Sequence, residues 1–264
     1  MPRLTFLGTA SALPTSTQDN TSLLCENNGC YVMVDCSGNP SRKLWQLGVG
    51  VEALQHLIIT HSHIDHVYAV PSLVDALGIA GRETPLHIYA LRETMQTIVT
   101  LLDLWHLRTR DYCNFPLALH TLEGSENEAV FQDTNFALRT TPTQHATPSV
   151  AVKLTFPIRP TLVYSSDTAP CPQLLSFAAG ADYFLLENTY CNDNAKLSEI
   201  TGHFYSQQFR QVASQIAASH TMLVHHSEAP HCTSYQALSQ IQAETNLPAL
   251  AVTIPHDFDT LDLI

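Results

Sequence analysis

The sequence is poor in positive charge, in paired cysteines and in long apolar runs. Its 12 Lys plus Arg face 24 Asp plus Glu, for a formal net charge of −12. So acidic a body repels nucleic acid and anionic membranes, and any phosphate-bearing substrate must be held by local charge. The 7 cysteines contain no CxxC pair. An odd, irregularly spaced set argues against a disulfide framework and for a reducing compartment, so a cytoplasmic location is expected. No apolar run approaches the length of a membrane span. The opening "MPRLTFLGTASALP" has one Arg and an A-S-A, but Gly8 and Thr9 break its apolar stretch. It reads as a strand and a glycine turn rather than an export signal. Low-complexity segments, charge runs and long linkers are also missing. With 264 residues, 45% of them hydrophobic, the chain can bury a sizeable core, and one domain over residues 1–264 is expected.

Short β-branched or aromatic runs bounded by turn residues predict strands at "LTFLG", "CYVMVD", "HLIIT", "LHIYAL", "FALRT", "VAVKLTF", "TLVYSSD", "YFLLEN", "TMLVHH" and "ALAVTI". Helical periodicity marks "RETMQTIVTLLDLW", "YSQQFRQVASQIAASH" and "SYQALSQIQAET", with shorter helices at "SRKLWQLG" and "VPSLVDALGI". Strands outnumber helices and alternate loosely with them, which suggests a two-sheet core with helices outside.

Histidine is abundant, with 14 copies, more imidazole than a charged surface needs. "HSHIDH" concentrates it: His61, His63, Asp65 and His66 share one strand-to-helix loop. A solvated loop is the plain alternative, but imidazole and carboxylate are the donors that bind borderline cations such as zinc. His61 and His63, two apart, share a face in extended geometry, and Asp65 and His66 lie a turn further on. One loop could therefore give two ligands to each of two metals, about 3.5–4 Å apart. Further polar residues end apolar strands downstream: His145 in "TPTQHATP", Asp167 in "LVYSSDT", and His225 and His226 in "MLVHHSEAP". Strand ends are where loops build sites on rigid scaffolds. Side chains alternate along a strand, so His225 and His226 should not both reach one ion.

"HSHIDH" matches HxHxDH, and here the chain resembles the metallo-β-lactamase-fold hydrolases, in particular their ribonuclease Z-like branch. "FLGTASALPTS", "VMVDCSGNPSRKL", "LVYSSDT", "GHFYSQQ", "LVHHSE" and "PHDFDTLDL" resemble that branch in order, and "LLENTY" resembles its HEATF with Leu186 in place of the histidine. The resemblance runs from about residue 3 to residue 262. It implies an α+β fold, a four-layer αββα sandwich with the site at the edge of the sheets. It implies one metal held by His61, His63 and His145, a second by Asp65, His66 and His225, and Asp167 bridging them. Zn²⁺ is the expected ion of both positions, with Mn²⁺ or Fe²⁺ the alternatives. It further implies a metal-bound hydroxide oriented by Asp65 and a proton given to the leaving group by His203. A homodimer is a further expectation, since relatives in this branch are often dimers.

The branch it resembles trims precursor tRNA with a long Gly/Pro- and Lys-rich arm between the ligands matching His145 and Asp167. Residues 146–166 read instead as two strands joined by "PIRP", with no room for an arm. A small phosphodiester or nucleotide is therefore the expected substrate, and tRNA is not. The tRNA 3′-processing endoribonuclease remains the alternative reading, followed by sulfatase, lactonase or β-lactamase activity. A non-catalytic metal-holding scaffold would be signalled by a lost ligand, and none is lost. Substrate contacts are expected from "LWHLRTRDYCNFP", where Arg108 and Arg110 can pair with an anionic oxygen and Trp105, Tyr112 and Phe115 can cover a ring.

Overall fold

A computed structural model describes residues 1–158, 160–228, 232–244 and 252–264. Among these residues the strands form two mixed seven-stranded sheets. The first sheet contains β1 (Arg3–Gly8), β2 (Ser22–Asn27), β3 (Cys30–Val34), β4 (Leu54–Ile58), β5 (Leu86–Leu91), β6 (Leu117–Leu122) and β14 (Thr260–Asp262), in the order β14-β1-β2-β3-β4-β5-β6. The second contains β7 (Glu128–Gln132), β8 (Ala137–Pro142), β9 (Val150–Thr155), β10 (Thr161–Tyr164), β11 (Tyr183–Glu187), β12 (His220–Val224) and β13 (Val252–Thr253), in the order β13-β12-β11-β10-β9-β8-β7.

Alternation along the strands fixes the layers. Phe6, Leu23, Val34, Ile58 and Leu91 of the first sheet meet Leu138, Val152, Leu154, Tyr164 and Leu185 of the second in one inter-sheet core. The opposite face of the first sheet, with Leu24, Met33, Leu57 and Ile88, is covered by α1 (Pro40–Gln46), α3 (Val70–Ile79) and α4 (Arg92–Leu104). The outer face of the second, with Val163, Phe184 and Leu223, is covered by α5 (Pro172–Ala178), α7 (Phe209–Ile216) and α8 (Ser234–Glu244). The result is the αββα sandwich of the metallo-β-lactamase fold. Local chemistry starts the helices. Asn39 caps α1, its Oδ1 accepting from the Arg42 N–H, and Pro40 supplies a fixed φ in the first turn. On α4, Met95, Ile98 and Leu102 form the buried stripe.

The sequence reading of 70–79 coincides with α3, and that of 92–105 overruns α4 by one residue. The helix expected over 205–220 begins as a 3₁₀ turn at Ser206–Gln208 and ends at Ile216, where Ala217 turns left-handed with φ +50°. The first three residues of "ALAVTI", and Arg159 of "PIRP", lie outside the described residues. Strands β2, β6, β7 and β14 and helices α5 and α6 (Ala195–Thr201) had no clear sequence signal. In β2 five of the six residues are buried, so no alternation marks it. Against the expectation from cysteine spacing, Cys191 and Cys232 are joined in a disulfide, while Cys25, Cys30, Cys36, Cys113 and Cys171 are free thiols. The fold brings this pair together across 41 residues, a distance over which spacing carries no signal. Among the described residues, no helix is long and apolar enough to cross a membrane.

Candidate metal centre

The "HSHIDH" loop leaves the end of β4 and runs into α2 (Ile64–Val67), so Asp65 and His66 project from its first turn. From the facing sheet come His145 after β8, Asp167 after β10 and His225 after β12. The sheets are joined at this edge by the Val150 N–H donating to the Thr60 carbonyl at 3.2 Å.

Two ligand groups result. His61, His63, His145 and Asp167 bring their donor atoms within 4.8 Å of one another, and so do Asp65, His66 and His225. In the first group, His63 Nδ1 is 3.1 Å from His61 Nε2 and 3.1 Å from His145 Nε2. Ligands about 2.0–2.1 Å from a tetrahedral zinc stand about 3.3–3.4 Å apart, so this spacing fits a shared ion. In the second group, Asp65 Oδ2 is 3.4 Å from both His66 Nε2 and His225 Nε2. Asp167 Oδ2 stands between the groups, 3.5 Å from His61 Nε2, 3.4 Å from His66 Nε2, 3.3 Å from His225 Nε2 and 3.9 Å from His145 Nε2. His66 Nε2 and Asp167 Oδ1 are buried without a hydrogen-bond partner. Orphaned buried polar atoms aimed into a nest of imidazoles and carboxylates suit divalent cations.

The outward ring nitrogens of His61, His66, His145 and His225 are engaged, which directs the inward ones. His66 Nδ1–H donates to Asp35 at 2.8 Å. His61 Nδ1–H donates to Thr60 Oγ1 at 3.0 Å, and that hydroxyl lies 3.0 Å from both Asp35 oxygens. His145 Nδ1–H donates to the Gly202 carbonyl at 2.9 Å. Gly202 has φ +72°, and a Cβ there would stand 3.0 Å from the His145 Cα, so glycine is required. His225 Nδ1–H donates to Thr189 Oγ1 at 2.9 Å, which donates to Glu187 Oε2 at 3.0 Å. Such outer contacts fix tautomer and ring direction. His226, fully buried, donates instead to the Leu223 carbonyl at 2.8 Å, away from both ligand groups.

Three residues at this edge adopt left-handed backbone without being glycine: Asp35 (φ +61°), Ser166 (φ +55°) and His225 (φ +59°). Each costs about 1–3 kcal/mol, held by the surrounding structure. Electrostatics set the charge states. Burial and the neighbouring rings hold the His61 pKa well below its ordinary value, and burial and His145 lower that of His63. Burial also lowers His145. Burial opposes ionisation of Asp65 and Asp167, but the surrounding imidazoles hold both carboxyls below the usual range. Burial likewise disfavours a charged His66, yet Asp167 and Asp35 raise it well above 6.5.

His203 joins Asp167 and His225 in a third, overlapping group with donor atoms within 4.8 Å of one another, its ring centroid 4.8 Å from that of His145 and 5.5 Å from that of His225. Its Nδ1–H donates to Glu187 at 2.8 Å. Burial pulls its pKa down, but the Glu187 carboxylate outweighs that and lifts it to about 9. Glu187 is itself held by N–H groups of Thr168, Thr189 and Phe204 at 3.0–3.1 Å. Asp35, Thr60, Glu187 and Thr189 carry no role in the sequence reading. The signal for the acids was there in "YVMVD" and "YFLLE", where a lone carboxylate closes an apolar strand.

The two arginines of the 104–116 segment make their own ion pairs. Arg108 donates twice to Asp103, at 2.7 and 2.6 Å, and is folded back on α4. Arg110 pairs with Asp75 of α3 and donates to the Cys113 carbonyl at 2.8 Å, while its Nε has no partner. With Tyr68, Ser72, Trp105 and Tyr112 it lines a cavity of about 380 Å³. Tyr68 stands two residues beyond His66. Phe115 is buried beneath the helices of the first sheet.

A family profile described as "Anti-Pycsar protein Apyc1" matches residues 2–237. The chain is 23% identical over 273 residues to a ribonuclease Z of Methanosarcina acetivorans, covering 85% of this chain and 87% of that one. By structure it is similar to human tRNase Z, short form, with TM-score 0.79 and 19% identity over 99% of both chains. It is also similar to the metallo-β-lactamase fold protein YhfI of Bacillus subtilis, with TM-score 0.79 and 18% identity over 99% of this chain and 100% of that one.

Proposed function

This metal-dependent hydrolase of the metallo-β-lactamase fold belongs to the family of the anti-Pycsar protein Apyc1, and we propose that it cleaves a small phosphodiester or nucleotide using two divalent cations, zinc first. The observation that carries the reading is Asp167 Oδ2, which stands 3.3–3.5 Å from ring nitrogens of both ligand groups. One carboxylate oxygen facing two ligand sets suits a pair of cations rather than one. His61, His63 and His145 would hold the first, Asp65, His66 and His225 the second, and Asp167 both. When bound, two cations polarise a phosphoryl oxygen and lower the pKa of water.

The chain's own groups do the rest. Asp65 orients the attacking water. As the new P–O bond forms, the bond to the leaving oxygen breaks, and His203 supplies the proton that oxygen needs. Glu187 keeps that proton on His203, which is therefore available up to about pH 9. Arg110, which lines the aromatic-walled cavity with Tyr68, Trp105 and Tyr112, is proposed to pair with an anionic oxygen of the substrate.

The similarity to ribonuclease Z supports tRNA 3′ processing as a second reading. Against it stand the net charge of −12 and the short antiparallel connection between β9 and β10, where the tRNA-gripping arm would be expected. The deciding experiment loads the protein with zinc and offers bis-p-nitrophenyl phosphate, cyclic nucleotides, a sulfate ester, a lactone and a precursor tRNA. Hydrolysis of a small phosphodiester, abolished together with metal binding in Asp167→Ala, is expected. Turnover of the tRNA alone, or full metal content and parental rate in Asp167→Ala, would overturn the assignment.

A further inference from the structure

A second group of histidines lies between the sheets at the edge formed by β4, β5, β6 and β7. We infer that His87 and His120 form a separate binding site for a divalent transition cation. Parallel pairing sets His56 opposite His87, and Tyr89 opposite His120. All four face the second sheet, because Ile58, Tyr89 and Leu122, two residues beyond the three histidines, belong to the inter-sheet core. His87 is half-buried and His120, on an edge strand, is exposed, so an ion can reach them from solvent.

His87 Nδ1 and His120 Nε2 are 3.0 Å apart. The same imidazole-to-imidazole spacing, 3.1 Å, occurs twice in the first ligand group of the metal centre. Two nitrogens 3.0 Å apart, each about 2.0–2.1 Å from one ion, subtend an angle of about 91–97°. That is the angle of a cis pair in octahedral or square-planar geometry, which nickel(II) accepts, so nickel serves as the probe. Without an ion one ring donates its N–H to the other; on cation binding that ring carries its proton on its other nitrogen, leaving both facing nitrogens free for the ion. His56 is not a third ligand. Its Nδ1 meets the Tyr89 hydroxyl at 3.2 Å, its Nε2 lies 3.5 Å from Asp133, and its ring stacks on Phe131 at 4.0 Å. Water completes the coordination, and the acidic body favours a cation.

The test uses the protein already loaded with zinc, dialysed against nickel chloride, with nickel and zinc counted together by elemental analysis. One nickel per chain is expected, with zinc content unchanged. His87→Asn and His120→Asn should each lose that nickel while keeping zinc, hydrolysis and the parental Tm. An anomalous peak at the nickel edge between the two rings in a soaked crystal would locate it. Nickel uptake undiminished in the double variant, or uptake only as zinc leaves, would overturn the inference. The count does not depend on which substrate is hydrolysed, so it stands or falls apart from the functional proposal.

Discussion

Asp35 and Glu187 invite comparison. Each is a wholly buried acid at the end of an apolar strand, and each governs two imidazoles, one directly and one through a threonine hydroxyl. Asp35 holds His66 directly and His61 through Thr60. Glu187 holds His203 directly and His225 through Thr189. The difference lies in what the far side of each ring faces. Both rings held by Asp35 turn their Nε2 atoms into the ligand groups, one into each. Of the two held by Glu187, His225 faces the second group, while His203 is lifted to about 9 and carries a proton. The same arrangement of carboxylate, hydroxyl and imidazole thus makes a metal ligand or an acid, according to the company of the opposite nitrogen.

The sharpest way to break this comparison is Asp35→Asn. It should weaken cation binding at both groups, about 10–100-fold each, with activity falling at least as far. A metal titration checks it, and two cations held as tightly as in the parent would sink the assignment of Asp35. Glu187→Gln should behave differently, with cation binding weakened at the second group only and kcat lower by about 10²-fold. Its pH profile carries the sign. The rate needs protonated His203 and falls as pH rises through that pKa, about 9 in the parent. Removing the Glu187 charge drops the pKa, so the alkaline limb must move to lower pH. An unmoved limb would detach His203 from the chemistry.

Smaller effects separate the two hydroxyls. Thr60→Val should weaken cation binding in the first group and Thr189→Val in the second, each by about 10-fold, read by stepwise titration. Arg110→Ala, which touches neither acid, should leave cation binding as in the parent. KM should rise about 10-fold, for the loss of about 1.5 kcal/mol from one charge-assisted hydrogen bond, with kcat and bound metal as in the parent. An unchanged KM would remove Arg110 from substrate recognition.

The ligand types were legible in the sequence because metal chemistry restricts them to His and Asp, and because four fall within one loop. The layered fold was legible through strand alternation and the periodicity of α3 and α4. Asp35 and Glu187 were not assigned, because a buried acid looks the same in sequence whether it caps a turn or orients a ring. Only distance in three dimensions tells these apart. Arg108 shows the converse: its sequence position promised a substrate contact, yet its fork already holds Asp103.

The Cys191–Cys232 bond changes the connectivity of the chain around His203 and His225, because both lie within the ring it closes. A protease that cut once between residues 204 and 224 would open that ring without dividing the polypeptide. The nicked protein would migrate as one species on a non-reducing gel and as two after reduction. Each of these histidines is thus anchored to the rest of the molecule by two covalent routes, one along the backbone in either direction and back through sulfur, so that one break leaves the other intact.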